Sequence, residues 1–148
     1  SRWRKRVPLI SITRLRIRSW LYFPAFFLDS MRSAKQAAAA PGNLAVRLLR
    51  DRDKTFWTMT AWSSDAAVKA YMHAGTHGAA MRKLLDWCDE AAVTHWTQDA
   101  ANLPSWEEAH RRLQQEGRRS KVHHPSANQT EFVVPPPATG ATRDRLVK

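Results

Sequence analysis

The sequence contains a single cysteine, Cys88, which excludes an intrachain disulfide and any metal cluster that needs several thiolates. Such scarcity is typical of a reducing compartment, so we expect a cytoplasmic location. Long apolar runs are also missing. The longest one, residues 20–28, is too short to cross a bilayer and contains Pro24, so we expect no membrane span. Glycine motifs for phosphates or dinucleotides are absent, as is the Ser/His/Asp order of a hydrolase.

Acidic residues are scarce at both ends of the chain, and this accounts for the net charge of +11. Residues 1–18 carry seven Lys/Arg and no acid, and residues 111–148 carry eight Lys/Arg against three acids. Residues 19–110 have nine bases and ten acids and are close to neutral. Binding of nucleic acid or of an anionic surface is therefore a hypothesis for the basic ends and not for the core.

The pattern of apolar residues predicts the order βαββαβ in the first two thirds of the chain. Residues 10–19 alternate with the period of a half-buried strand and place Arg14, Arg16 and Arg18 on one face. An amphipathic helix follows from Pro24 and stops at Pro41-Gly42. The next two segments, residues 43–50 and 55–62, read as strands of one hairpin.

Two more helices and a closing strand are predicted from caps and glycine breaks. Ser63 or Ser64 caps a helix that weakens at Gly75, and Thr76 caps its continuation, whose apolar stripe includes Cys88 as a buried, inert thiol. Residues 93–97 supply the fourth strand. A capping box formed by Ser105 and Glu108 then opens an additional helix that closes near residue 117.

These elements predict an α+β fold of the ferredoxin-like type, with a four-stranded antiparallel sheet and an extra C-terminal helix. We expect a basic extension at residues 1–9, the folded domain at residues 10–117 and a basic, flexible tail at residues 118–148. The tail includes Pro135-Pro136-Pro137, which can continue neither a helix nor a central strand.

Four segments of the sequence resemble a known superfamily. They are FWTMTAW at residues 56–62, AAVKAYM at residues 66–72, Thr76-His77, and VTHW at residues 93–96. Together they resemble the dimeric α+β barrel superfamily, within it the antibiotic-biosynthesis-monooxygenase-like proteins, and more narrowly the spheroidene-monooxygenase-like domains of unassigned function. The likeness covers roughly residues 10–100.

The resemblance implies a homodimer in which two sheets pack face to face, with a pocket in each protomer. Some members of the superfamily bind haem through a histidine near the second helix, where His77 stands here. Other members use no cofactor and oxidise electron-rich aromatic substrates in a pocket shaped by Trp, Asn or His, a role that Trp62 matches. Haem is thus a candidate cofactor, and His77 a candidate iron ligand or general base.

Each candidate site residue also has a simpler interpretation. His77 stands at a helix start, where the macrodipole favours the neutral imidazole, but a histidine there can also act only in capping or packing. Arg14, Arg16 and Arg18 are candidates for holding an anionic group, or else form a solvated or dimer-paired face. The aromatic residues Trp57, Trp62, Tyr71 and Trp96 are candidates for stacking on a flat ligand, or else fill the core.

Three functions remain open from the sequence. The first is a small oxygenase-like enzyme that binds a small hydrophobic or aromatic ligand, with His77 and Trp62 as catalytic residues. The second is a non-catalytic dimeric module that binds a ligand or a partner protein. The third is binding of nucleic acid or anionic surfaces by the basic tails.

Overall fold

The protein is an antiparallel sheet with helices on both faces. The computed structural model describes residues 7–99, 102–138 and 144–148, leaving out the side chains of residues 75–78. The described strands are β1 (Leu9–Ile17), β2 (Asn43–Arg50), β3 (Thr55–Trp62), β4 (Cys88–Thr97), β5 (Arg118–Arg119) and β6 (Asp144–Leu146). The described α-helices are α1 (Phe23–Ala39), α2 (Asp65–Met72), α3 (Gly75–Trp87), α4 (Trp106–Glu116) and α5 (Ala127–Glu131).

The strand order confirms the predicted ferredoxin-like arrangement. The six described strands lie in the order β5-β4-β1-β3-β2-β6, and every neighbouring pair is antiparallel. The four long strands are those expected from the sequence, and the two short ones extend the sheet at its edges. In the β2–β3 turn, Asp53 and Lys54 both have positive φ angles, 62° and 60°, which is the geometry that continues the twist of a hairpin.

Helices α1, α2 and α3 cover one face of the sheet, called the helix side here. The predicted cap at Ser64 is present, since its hydroxyl accepts a hydrogen bond from the Ala67 amide at 3.1 Å. The predicted cap at Thr76 is wrong, because α3 begins at Gly75 with Ala74 in the capping position. Gly42 has a φ angle of 85° where α1 turns into β2, and a Cβ there would lie 2.6 Å from the Ala67 Cβ.

Strand β4 begins five residues earlier than the sequence predicts. Cys88 is its first residue and pairs with Ile17 of β1, so the placement of Cys88 on a helix is wrong. Its burial is as expected, since Cys88 and Ile17 are fully buried in one cluster with Phe26. Cross-strand hydrogen bonds to β1 here override the helical spacing of the preceding apolar residues.

The opposite face of the sheet is covered by α4 and is called the α4 side here. The predicted cap is present, because the Ser105 hydroxyl accepts a hydrogen bond from the Glu108 amide at 3.1 Å. Trp106 and Leu113 of α4 pack in one core with Ile12 and Trp57 of the sheet. The sheet face for which a partner subunit was expected is therefore covered by residues of the same chain.

The segment that follows α4 also packs on the domain, which differs from the flexible tail expected from its composition. Val134 is buried in the same core as Trp57, and the Gln129 side chain bonds the backbone of Ala91 in β4. The proline run prevents regular structure but not packing, since a chain without a helix or strand can still bury apolar side chains.

None of the described helices is both long enough and apolar enough to cross a membrane.

Candidate functional site

A strip of polar side chains crosses three strands on the helix side of the sheet. Ser11 of β1 stands opposite Thr60 of β3 and opposite His95 of β4. Thr13, two residues further along β1, stands opposite Thr58. Residues that face each other in antiparallel strands project to the same face, so these five side chains form one surface, called the polar strip here.

The polar strip lies between two separate apolar clusters of the helix side. One cluster contains Leu9, Val46 and Trp62 near one end of the sheet, and the other contains Ile17 and Cys88 near the opposite end. Ser11, Thr13 and Thr58 belong to central strands beneath three helices, yet they remain partly exposed. The helical layer therefore does not fully cover the strip.

Most of the polar strip has unused hydrogen-bonding capacity. Thr60 accepts a hydrogen bond from the Trp62 indole N–H at 2.8 Å. For the side chains of Ser11, Thr13, Thr58 and His95, we find no hydrogen-bond partner within the described part of the chain. The sequence analysis missed this strip, although small hydroxyl residues at facing positions of predicted strands are a readable signal.

The start of α3 lies towards the polar strip. The helix has 13 residues and leads directly into β4 at Cys88. The helix is about 20 Å long, which equals the length of about six strand residues. Because α3 runs back along β4 from Cys88, its first turn lies near the level of Thr94. His77 belongs to the first turn of α3, and its side chain lies outside the described residues. Its role as catalytic base or iron ligand therefore remains a prediction.

Trp62 and Tyr71 lie together on the helix side. Their ring centroids are 5.2 Å apart, and Trp62 is completely buried. The Tyr71 hydroxyl donates a hydrogen bond to the Ser33 carbonyl at 2.9 Å, and burial raises the pKa of Tyr71 to about 12. Tyr71 thus stays protonated at neutral pH and joins α2 to α1 beside the strip.

Trp57 and Trp96 lie on the α4 side, so they do not share a pocket with Trp62 and Tyr71. Trp57 donates its indole N–H to Asp51 at 2.9 Å and meets Trp106 edge to face at 6.2 Å. Trp96 donates to Gln98 at 3.3 Å. Both indoles are enclosed in the core with α4. The aromatic ligand set predicted from the sequence is therefore divided between the two faces.

The three arginines of the first strand are also separated. Arg14 is buried against Glu90 at 2.7 Å, and Arg16 pairs with Asp89 at 2.5 Å, both along a cleft on the α4 side. Arg18 lies elsewhere, with its guanidinium 4.6 Å above the Tyr22 ring and its Nε donating to the Asp86 carbonyl at 2.7 Å.

Two of the arginines considered for an anionic group such as a haem propionate lie across the sheet from α3, the helix that contains His77. Arg14 and Arg16 line the cleft on the α4 side, so the prediction of haem depends on His77 alone. Trp62 offers no ring face to a macrocycle because it is fully enclosed by protein. Among the described side chains there is also no group of three or more His, Cys, Asp or Glu that would hold a metal ion.

Comparisons with known proteins agree with this architecture. The model of the DUF3291 family, a domain of unknown function, matches residues 27–141, so the chain belongs to this family. No curated protein matches the chain. This match confirms the prediction of a domain of unassigned function.

Solved structures from several bacteria share the fold. A candidate antibiotic biosynthesis monooxygenase from Nitrosomonas europaea has a TM-score of 0.59 at 13% identity, over 68% of this chain and 99% of that one. PA3566 from Pseudomonas aeruginosa has a TM-score of 0.56 at 18% identity, and the match covers 64% of this chain and 96% of that one. Rv0793 from Mycobacterium tuberculosis has a TM-score of 0.56 at 15% identity, and the match covers 66% of this chain and 97% of that one. At these identities the likeness defines the fold alone.

Proposed function

We propose that this protein binds a small hydroxylated aromatic molecule between the polar strip and the helices and oxidises it with dioxygen. The observation that carries the proposal is the partial exposure of Ser11, Thr13 and Thr58 beneath the helical layer, with no partner for their hydroxyls among the described residues. Such hydroxyls bind the phenolic or keto oxygens of a ligand. The fold shared with a candidate antibiotic biosynthesis monooxygenase supports the choice of reaction.

The chemistry starts with a proton transfer from the ligand to a histidine. His77 lies in the first turn of α3, where the helix dipole disfavours imidazolium and keeps the ring able to accept a proton. Loss of the phenolic proton makes the ring electron-rich. Dioxygen then supplies one oxygen atom, which converts a ring C–H to C–OH and gives a trihydroxynaphthalene. The other oxygen atom leaves as water with two hydrogens taken from this trihydroxynaphthalene. A dihydroxynaphthalene is thereby converted to a hydroxynaphthoquinone.

His95 and Ser11 have a different task, which is to bind and orient the ligand. Their side chains project to the same face from neighbouring strands. A ligand that bridges them is held over the middle of the sheet, near the start of α3. Trp62 closes the strip at one end and shields it from water, since it is buried between the sheet and α2.

The test uses a dihydroxynaphthalene as the probe and measures both its binding and the uptake of dioxygen. We expect saturable binding by the intact protein, together with formation of the quinone. His77→Ala should abolish oxygen uptake while leaving measurable binding. Thr13→Val should weaken binding, because it removes one hydroxyl from the strip and preserves the shape of the side chain.

His73→Ala provides the matched control, since His73 is an exposed histidine at the end of α2. It should change neither binding nor oxygen uptake. If the probe does not bind at all, or if His77→Ala oxidises it as fast as the unaltered protein, the proposal is wrong.

The second candidate function is ligand binding without turnover at the same strip. It is favoured by the abundance of hydroxyl groups over ionisable groups, because Ser11, Thr13, Thr58 and Thr60 bind but do not readily transfer protons. Binding that depends on Thr13 but is never accompanied by oxygen uptake would select this function.

A further inference from the structure

A second cleft lies on the α4 side, across the sheet from the polar strip. It has a volume of about 290 Å³ and opens between the β2–β3 turn and residues 126–136. Arg14, Arg16 and Glu90 line it from the sheet, Arg52 lines it from the turn, and Asn128 lines it from α5. A liquid water molecule takes up about 30 Å³, so the cleft has room for a small organic molecule.

In the buried ion pair of the cleft wall, Glu90 has hydrogen-bond partners for both oxygens, whereas Arg14 has one N–H without a partner among the described residues. Arg14 and Glu90 have side chains that are 6% and 5% exposed. Glu90 is fully engaged, because one oxygen accepts from Arg14 at 2.7 Å and the other from the Ser126 hydroxyl at 2.8 Å. Arg14, in contrast, has a buried Nε for which the described residues offer no hydrogen-bond partner. A buried, unpaired donor of a charged group is costly in a folded protein.

The other charges along the cleft also leave a surplus of donors. Asp51 is buried, and its carboxylate already accepts three hydrogen bonds. The donors are the Trp57 indole N–H at 2.9 Å and the backbone amides of Arg52 and Ala138 at 2.8 and 3.0 Å. The guanidinium of Arg52 is exposed and has no ion pair among the described residues. The carboxylates of Asp51 and Glu90 are thus engaged within the protein, whereas guanidinium N–H groups of Arg14 and Arg52 have no partner among the described residues.

We propose that this cleft binds a small organic carboxylate through Arg14 and Arg52. The planar guanidinium donates pairs of parallel hydrogen bonds that match a carboxylate. Asp53 at the mouth and Glu90 at the wall limit the total charge that the cleft tolerates, which favours an anion with one negative charge. Asn128 adds an amide that can bond a second polar group of the ligand.

This site is independent of the oxidation proposed above. The two sites lie on opposite faces of the sheet and share no residue. The carboxylate site therefore stands even if the polar strip binds nothing, and variants of His77 or Thr13 should leave it unchanged.

Nuclear magnetic resonance tests the site directly, since arginine Nε–H groups give resolved signals. Benzoate, succinate and inorganic phosphate serve as probes with the intact chain. We expect benzoate to shift the Arg14 Nε–H signal in a saturable manner and to bind more tightly than the two probes with more negative charge. Arg14→Lys should weaken benzoate binding roughly tenfold, because it loses the fork of donors.

Two further variants keep the test decisive if Arg14→Lys does not fold. Ala127→Phe fills the cleft from an exposed position without removing any charge, so it should abolish binding. Arg52→Glu reverses an exposed charge at the cleft and should weaken binding severalfold. Arg32→Glu is the matched control, since Arg32 is exposed on α1 on the other face of the sheet.

Three results would overturn the proposal. They are the absence of saturable benzoate binding, binding that survives both Ala127→Phe and Arg52→Glu, and tighter binding of phosphate than of benzoate. The last result would assign the cleft to a different class of anion.

Discussion

Gln129 hydrogen-bonds both backbone groups of Ala91, much as a residue of a neighbouring strand would. Its Oε1 accepts from the Ala91 amide and its Nε2 donates to the Ala91 carbonyl, each at 3.1 Å. The same Nε2 reaches the Ser120 carbonyl at 2.9 Å. One buried side chain thus ties the segment after α4 to the edge of β4.

Gln129→Ala should lower the free energy of unfolding by about 1–3 kcal/mol, since the buried Ala91 amide then has no partner. The Ala91 carbonyl keeps the Ser120 amide at 2.9 Å. Urea unfolding measures the loss, and hydrogen exchange should show faster exchange at the Ala91 amide. Glu131→Ala, an exposed change in the same helix, should have an effect within about 0.5 kcal/mol. Equal effects of the two variants would contradict this role of Gln129.

Leu113→Ala tests whether α4 belongs to the core of a single chain. Leu113 is fully buried with the sheet, so its truncation should cost about 2–5 kcal/mol of unfolding free energy. The loss should not depend on protein concentration, because the covering helix belongs to the same chain. Leu44→Ala, at a residue that is 50% exposed, serves as the control. A cost that grows on dilution would place Leu113 at a subunit interface instead.

The homodimer implied by the resemblance remains a prediction, although the sheet face beneath α4 is already covered by the same chain. Light scattering of the purified chain gives its mass in solution.

If residues 105–148 are removed, Ile12, Trp57 and Met59 lose their cover, and we expect aggregation or new association. A truncated chain that stays monomeric and folded would show that α4 is dispensable for the core.

Cys88 should not react with thiol reagents in the native protein. Burial, assisted by the charge of Asp89, raises the pKa of this thiol to about 12. At about pH 8.5, where half of an ordinary free thiol is ionised, Cys88 should therefore remain protonated and shielded. Labelling should appear only along the urea unfolding transition. Rapid labelling without urea would contradict the enclosed position of Cys88.

Acidification should release β6 before the rest of the sheet. Arg47 donates a hydrogen bond to Asp144 at 2.8 Å, and this contact lowers the pKa of Asp144 below its ordinary value of 3.8. Its stabilising contribution is fully present above that ordinary pKa and is lost as the pH falls through the lower pKa of the folded state. The protection factor of the Val147 amide, which bonds the Val46 carbonyl, should therefore fall in acid. Asp144→Asn should remove this dependence on pH.

The elements defined by strong local signals could be predicted from the sequence. The strands β2 and β3 match residues 43–50 and 55–62, because a polar turn separates two β-prone runs. The helix α4 is marked by its capping box at Ser105. These signals act over a few residues, so a single sequence contains them.

Features that depend on distant partners could not be predicted in the same way. The sequence alone favours a helix that continues to Cys88, and only the pairing of residues 88–92 with β1 shows that the strand begins there. Gln129 gave no signal within a basic, proline-rich segment, because the Ala91 backbone that it bonds lies 38 residues away in the chain. The division of the candidate aromatic residues, in contrast, could have been predicted, because Trp57 and Trp62 are five residues apart in one strand and therefore project to opposite faces.

The cover that residues 106–138 provide for the sheet has a consequence for synthesis on the ribosome. The strands of residues 9–97 emerge first, and at that stage Ile12, Trp57 and Met59 face water. The core closes only once α4 and Val134 have left the exit tunnel. Until then, the nascent chain exposes an apolar surface that favours aggregation.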